Sequence, residues 1–115
     1  MNLNDWSRFC YTRSDAAGWW ESTEDEKFQI GTKFALIHSE VSEAFEGYRK
    51  DAMDSHLPDR KAVEVELADV LIRVFDLAGR LDLDLQGAVE EKLEYNRERA
   101  DHRAEARSAP GGKRF

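Results

Sequence analysis

The sequence predicts an all-α fold, a four-helix-bundle-like arrangement completed by oligomerisation, and three observations carry that reading. Apolar residues recur at helical spacing over long segments, and no stretch alternates apolar and polar residues for long enough to make a strand. The segment from Val63 to Leu81 is apolar around most of its helical wheel. Such a helix has to be surrounded by others, and one short chain cannot supply enough of them, so a dimer that completes a shared bundle is expected.

In chain order, a short first helix is predicted over Asn4 to Thr12, burying Trp6, Phe9 and Cys10. Arg13 to Glu21, with Gly18 and the Trp19/Trp20 pair, reads as a connecting loop. Thr23 followed by Glu26 fits a capping box, opening a long helix from about Glu24 to Arg49 that Gly31 could interrupt. On a wheel at about 100° per residue, Ile30, Phe34, Ile37, Val41, Ala44, Phe45 and Tyr48 share its core arc, with Lys33, Leu36, Glu40, Glu43 and Gly47 on the flank. Lys50 to Leu57 connect. Pro58 suits a first helical turn, so the third helix is expected over Asp59 to Arg80. Asp82 or Asp84 caps the fourth, which carries Leu85, Val89, Leu93 and Tyr95 to near Arg103. Pro110, Gly111 and Gly112 mark a loose tail over about residues 104–115. There is no repeat and no linker, so residues 1–115 read as a single domain.

Composition narrows the function. A chain of 115 residues can bury a modest core. Cys10 is the only cysteine, which rules out an internal disulfide or a thiolate zinc site. The start MNLNDWSRF is too polar for a signal peptide, and no apolar run approaches the roughly 20 residues of a membrane helix. A soluble, cytoplasmic protein without a membrane partner is expected. The net charge of −7 argues against nucleic acid as a partner. Its distribution is uneven: residues 92–115 hold seven basic and four acidic side chains, while the rest holds ten basic and twenty acidic. An acidic body that collects cations beside a basic tail that could meet phosphates suits metal-dependent phosphoryl chemistry. Ordinary surface charge would look the same.

Two acidic pairs sit where they can do such chemistry. Glu40/Glu43 edge the apolar arc of the second helix, and Glu66/Asp69 lie with Arg73, Asp76 and Arg80 on the one narrow polar stripe of the third. Four carboxylates brought together hold hard cations. On the fourth helix Lys92, Asn96, Arg99 and Arg103 recur at steps of four, three and four, one face that could clamp phosphates and hydrogen-bond a nucleoside.

With these pieces in place, the chain resembles the MazG-like all-α nucleoside triphosphate pyrophosphohydrolases, relatives of dCTP pyrophosphatase and phosphoribosyl-ATP pyrophosphohydrolase. The resemblance rests on ExxE at Glu40 to Glu43, ExxD at Glu66 to Asp69 within VEVELADVLIRVFDLA, and KxxxNxxR at Lys92, Asn96 and Arg99 within EEKLEYNRERAD. They stand in the family's order over residues 40–99. Many members carry a further glutamate before the first pair, where this chain has Ser39, a departure that bears on the ligand count. The resemblance implies a MazG-type fold, and a homodimer or homotetramer. It further implies hydrolysis of a (deoxy)nucleoside triphosphate to the monophosphate and pyrophosphate, by water attack at the α-phosphorus. Glu40, Glu43, Glu66 and Asp69 would be the catalytic ligands of Mg²⁺, with Mn²⁺ as a substitute. Lys92 and Arg99 would touch phosphate and Asn96 the nucleotide.

Other residues carry weaker expectations. Trp19 and Trp20 are first of all core or interface aromatics, but one of them, Trp20 for preference, could stack on a base. That favours a purine, dGTP or GTP, over the pyrimidines dCTP and dUTP. His38 reads as a packed histidine and, secondarily, as a base contact. Lys33 reads as a salt-bridge partner of Glu40, with phosphate binding as its lesser role. Two further classes compete: a non-catalytic acidic helical module that only oligomerises, and a di-iron bundle. The latter needs ExxH pairs, and neither His38, His56 nor His102 has an acid three residues before it.

Overall fold

The computed structural model describes residues 1–99 and 104–113. Its helices are α1 (Leu3–Ala16), α2 (Glu26–Lys50), α3 (Ala62–Arg80), α4 (Leu85–Glu98) and α5 (Ala104–Ser108). Among the described residues there is no strand, only an isolated antiparallel bridge between Met53 and Lys61. The all-α class therefore holds. The chain divides into two compact units, Met1–Leu83 and Asp84–Phe115. None of the described helices is long and apolar enough to cross a membrane.

In the first unit α3 is the middle helix and packs against both α1 and α2. A capping box starts α1: Asn2 Oδ1 accepts from the Asp5 amide at 2.9 Å, and the Asp5 carboxylate accepts from the Asn2 amide at 3.0 Å. The helix runs four residues past its predicted end at Thr12, because no helix breaker stands before Gly18, which takes the left-handed turn at φ 87°. Its contact with α3 is made by small groups. A side chain at Gly79 would run into the Ser7 carbonyl and the Tyr11 side chain, so only glycine lets the two backbones approach. This corrects the expected burial of α1: Ser7 is the buried residue, whereas Trp6 and Phe9 stay more than 40% exposed beside the contact and Cys10 is half-buried.

Asp25, not Thr23, caps α2, accepting from the Phe28 amide at 2.8 Å. Gly31 does not interrupt the helix, which ends at Asp51 in the left-handed region. The start of α3 is also later than predicted. Asp54 is buried and accepts from the amides of His56 and Leu57 at 2.9 and 2.8 Å, so its carboxylate organises the loop that leads to the helix. Pro58 then falls inside the turn closed by the Arg60 amide on the Leu57 carbonyl, instead of in the first turn of α3.

Trp20, Ala44, Phe75, Leu77 and Ala78 form the core. Of the arc expected to be the core face of α2, only Ala44 is fully buried, while Phe34, Val41, Phe45 and Tyr48 are about half exposed or more. Leu67, Leu71 and Ile72 of α3 are likewise half exposed. The helical period was right, but within the first unit α2 packs chiefly against α3, so most of its apolar arc stays uncovered there.

In the second unit Asp84 caps α4, accepting from the Gly87 amide at 2.9 Å. The helix ends at Glu98, with Arg99 in extended backbone at φ −70°, ψ 136°, short of the predicted end near Arg103, which lies outside the described residues. The expected loose tail contains the five-residue α5, followed by Gly111 at φ 81°.

Candidate functional site

Helical spacing brings the acids together. Glu40 and Glu43 lie one turn apart on α2, Glu66 and Asp69 one turn apart on α3, and the packing of the two helices makes them face each other. One carboxylate oxygen each from Glu40, Glu43 and Glu66 lies within 4.8 Å of the other two. Asp69 falls outside that triangle but shares its field. Glu40 and Glu66 are half-buried and Glu43 is exposed. Glu66 Oε2 is buried without a hydrogen-bond partner.

Like charges held this closely resist ionisation. Burial, the nearby Glu40 carboxyl with which a proton can be shared, and the charges of Glu43 and Asp69 push the Glu66 carboxyl up to about 7. Asp69 is raised as well, by burial first and the charge of Glu40 second, with Arg73 pulling the other way. Three carboxylate oxygens that converge are donors of the kind a hard cation takes. The donor set is all carboxylate, which suits Mg²⁺ or Mn²⁺ better than a soft metal.

Beside the acids lies a cleft of about 690 Å³ whose lining includes the apolar Trp6, Phe9, Trp19 and Ile72 and the charged Arg13, Lys33, Glu40, Asp69, Arg73 and Asp76. The sequence expectations divide here. Trp20 is 6% exposed, its indole N–H donates to Asp76 at 2.8 Å, and Lys33 and Arg80 lie over its ring at 4.6 and 5.0 Å. It is a core residue, and the exposed aromatic of the pair is Trp19, at 72%. Lys33 does not pair with Glu40: its ammonium donates to the Trp19 carbonyl at 3.2 Å. The ion partner of Glu40 is Arg73, whose Nε donates to Glu40 Oε1 at 2.9 Å. His38 is exposed, against the packed role expected of it, and does not line this cleft.

Asp76 accepts from Ser14 at 3.0 Å as well as from Trp20, and so ties α1 and the Trp turn to α3. The bond from Arg73 to Glu40 and the exposure of Trp19 in place of Trp20 are what the sequence did not show. A signal for Arg73 existed, since it stands seven residues after Glu66 on the same stripe.

In the second unit, Lys92 lies over the Tyr95 ring at 4.5 Å and Arg99 over the same ring at 5.7 Å. Asn96 Oδ1 is buried without a hydrogen-bond partner. Lys92 and Asn96 keep their helical face, whereas Arg99 has left the helix as its C-cap. Comparison with protein-family models, with curated proteins and with solved structures finds no match for the chain.

Proposed function

We propose that this chain is a divalent-metal-dependent nucleoside triphosphate pyrophosphohydrolase of the MazG-like kind. The observation that carries the proposal is the triangle of Glu40, Glu43 and Glu66 carboxylates within 4.8 Å, drawn from the two acidic motifs on which the resemblance rests. An exposed surface pair does not need such an arrangement, and carboxylates crowded this way are costly without a cation.

In this reading Glu40, Glu43 and Glu66 hold the ion, and Asp69 adds negative charge and a further oxygen beside them. When bound, Mg²⁺ supplies charge neutralisation on the phosphate oxygens and acidity for water. A carboxylate of the cluster accepts the proton of the water that attacks the α-phosphorus. The new bond is from that water oxygen to the α-phosphorus, the α–β anhydride bond breaks, and pyrophosphate leaves. Lys92 and Arg99 are assigned to phosphate and Asn96 to the nucleotide by the resemblance. Trp19, exposed on the cleft wall, takes over the stacking role first given to Trp20, and its broad indole keeps the lean towards dGTP or GTP.

Assembly belongs to the same proposal. The uncovered Phe34, Val41, Phe45 and Tyr48 of α2 and Leu67 and Leu71 of α3 support a homodimer, paired again into a tetramer in the manner of the family. Light scattering at micromolar concentration is expected to give a multiple of the 13.3 kDa chain mass, and a stable monomer refutes this part.

The deciding experiment is a panel of the eight common NTPs and dNTPs with Mg²⁺, assayed for pyrophosphate. Monophosphate and pyrophosphate are the expected products. Release of diphosphate and orthophosphate refutes the bond assignment, no turnover of any substrate refutes the enzyme, and preference for dCTP or dUTP refutes only the purine lean.

A further inference from the structure

The acid cluster carries its own counter-ion. Arg73 follows Glu66 by seven residues on the α3 stripe, and its Nε reaches Glu40 Oε1 at 2.9 Å. The two partners sit differently. The Glu40 side chain is 13% exposed, whereas that of Arg73 is 37% exposed and lines the cleft. Among the described residues the bond to Glu40 is the only hydrogen bond Arg73 makes, so the fork of its terminal amines is uncommitted. The other two cations of the cleft are engaged elsewhere: Lys33 on the Trp19 carbonyl and the Trp20 ring, Arg13 over the Phe9 ring. Arg73 is thus the cleft cation that touches the cluster.

We infer that Arg73 is an exchangeable counter-ion: it neutralises Glu40 while no divalent cation is bound, and turns to a phosphate oxygen of the substrate once a cation takes the charge of Glu40. The inference rests on the metal and triphosphate reading above and adds a residue to it. A doubly charged ion among three carboxylates outbids a singly charged guanidinium for Glu40. The guanidinium, released at the wall of an open cleft, meets a polyanion with a planar fork suited to phosphate oxygens. Two effects of opposite sign follow. Arg73 weakens binding of the bare metal, and strengthens binding of the metal together with a phosphate chain.

The test uses the full chain as parent, Arg73→Gln and Arg73→Lys, first with Mn²⁺ alone, followed by electron paramagnetic resonance of the free ion. Calorimetry then measures inorganic tripolyphosphate at saturating Mg²⁺, a probe with a phosphate chain and no base. Arg73→Gln is expected to bind Mn²⁺ about threefold tighter, the size of a partly exposed ion pair, and tripolyphosphate about tenfold weaker. Arg73→Lys keeps the charge and loses the fork, so its Mn²⁺ affinity stays near the parent's while tripolyphosphate binding still falls. A residue that merely props Glu40 gives the opposite sign for the metal. Weaker Mn²⁺ binding by Arg73→Gln, or parent-like tripolyphosphate binding by the variants, therefore overturns the inference. If Arg73→Gln does not fold, Arg73→Lys decides it through tripolyphosphate. A parent chain that binds no Mn²⁺ refutes the proposed function itself, whereas a parent that binds it while the variants show the wrong sign refutes only the exchange.

Discussion

The polar stripe of α3 has two ends that contain the same kinds of residue and behave oppositely. Towards the C-terminus, Asp76 is fully engaged by the Ser14 hydroxyl and the Trp20 indole, and Arg80 donates to the Tyr11 hydroxyl at 3.0 Å while covering the Trp20 ring at 5.0 Å. Towards the N-terminus, Glu66 and Asp69 face two more glutamates, and among the described residues Arg73 is the one cation bonded to them while Glu66 Oε2 has no hydrogen-bond partner. One end is matched to its surroundings, as a structural polar group is. The other stores repulsion that the fold itself does not relieve, and conflict of this kind concentrates at functional sites.

The sharpest way to break the comparison is to neutralise each end. Glu43→Gln or Glu66→Gln keeps the side-chain shape and removes a ligand charge. Pyrophosphohydrolysis should fall at least about 100-fold, the size of losing a strong electrostatic contact in a transition state, while the melting temperature holds or rises because a like charge has gone. A variant with the parent's rate in Mg²⁺ removes the site. Asp76→Ala should do the reverse. It leaves the buried Trp20 N–H and the Ser14 hydroxyl without their acceptor, at a cost of about 2–3 kcal/mol, and circular dichroism should show the melting temperature down by about 10 °C or more. Stability unchanged in Asp76→Ala would mean that the engaged end holds nothing together.

How much of this contrast was legible beforehand depends on what sets each feature. The acid pairs were visible because an i, i+3 spacing on a helix fixes a shared face whatever the rest of the chain does. The period of α2 and the apolar circumference of α3 were visible for the same reason. Burial was not, because it depends on which helix supplies a neighbour: Phe45 and Tyr48 lie on the predicted arc and are 65% exposed. The partner of an acid was not legible either. On the α2 wheel Lys33 sits beside Glu40, but the ion pair forms across helices to Arg73. Trp19 and Trp20 are neighbours of one residue type in a turn, and only the position of Asp76 decides which indole is buried. The start of α3 was missed because Pro58, a residue that suits a first helical turn, lies instead in a turn closed by the Arg60 amide on the Leu57 carbonyl.

The pH dependence sharpens the comparison with a smaller effect. The folded-state carboxyl of Glu66 sits at about 7, above its ordinary value of 4.5, so the folded chain holds its proton more tightly than the unfolded one. Its ionisation penalty is absent below about pH 4.5, grows as pH rises to about 7, and is complete above that. In a chelator, the parent should therefore lose stability relative to Glu66→Gln between pH 5 and pH 8, by about 1–2 kcal/mol once solvent screening is allowed for. Saturating Mg²⁺ should abolish the difference in slope, since the ion relieves the same repulsion. Thermal melts of the two proteins at both pH values, with chelator and with Mg²⁺, measure it directly. A parent that gains on Glu66→Gln as pH rises in chelator contradicts the crowding argument.

The smallest effect asks whether the two ends are independent. Arg80→Lys preserves the charge at the matched end but removes the planar group that lies over Trp20 and bonds the Tyr11 hydroxyl. The ammonium is a strongly hydrated point charge and covers an indole less well than a guanidinium does. The expected loss is about 0.5–1 kcal/mol, read as a shift of a few degrees in the melting temperature. Mn²⁺ affinity should stay at the parent's value, because Arg80 stands two helical turns beyond Arg73 and its bond partners, Tyr11 and Glu26, contribute nothing to the carboxylate triangle. A change in Mn²⁺ affinity larger than about twofold would show that the Trp20–Asp76 node sets the geometry of the acids through the α3 backbone. The matched end would then be part of the site instead of its scaffold.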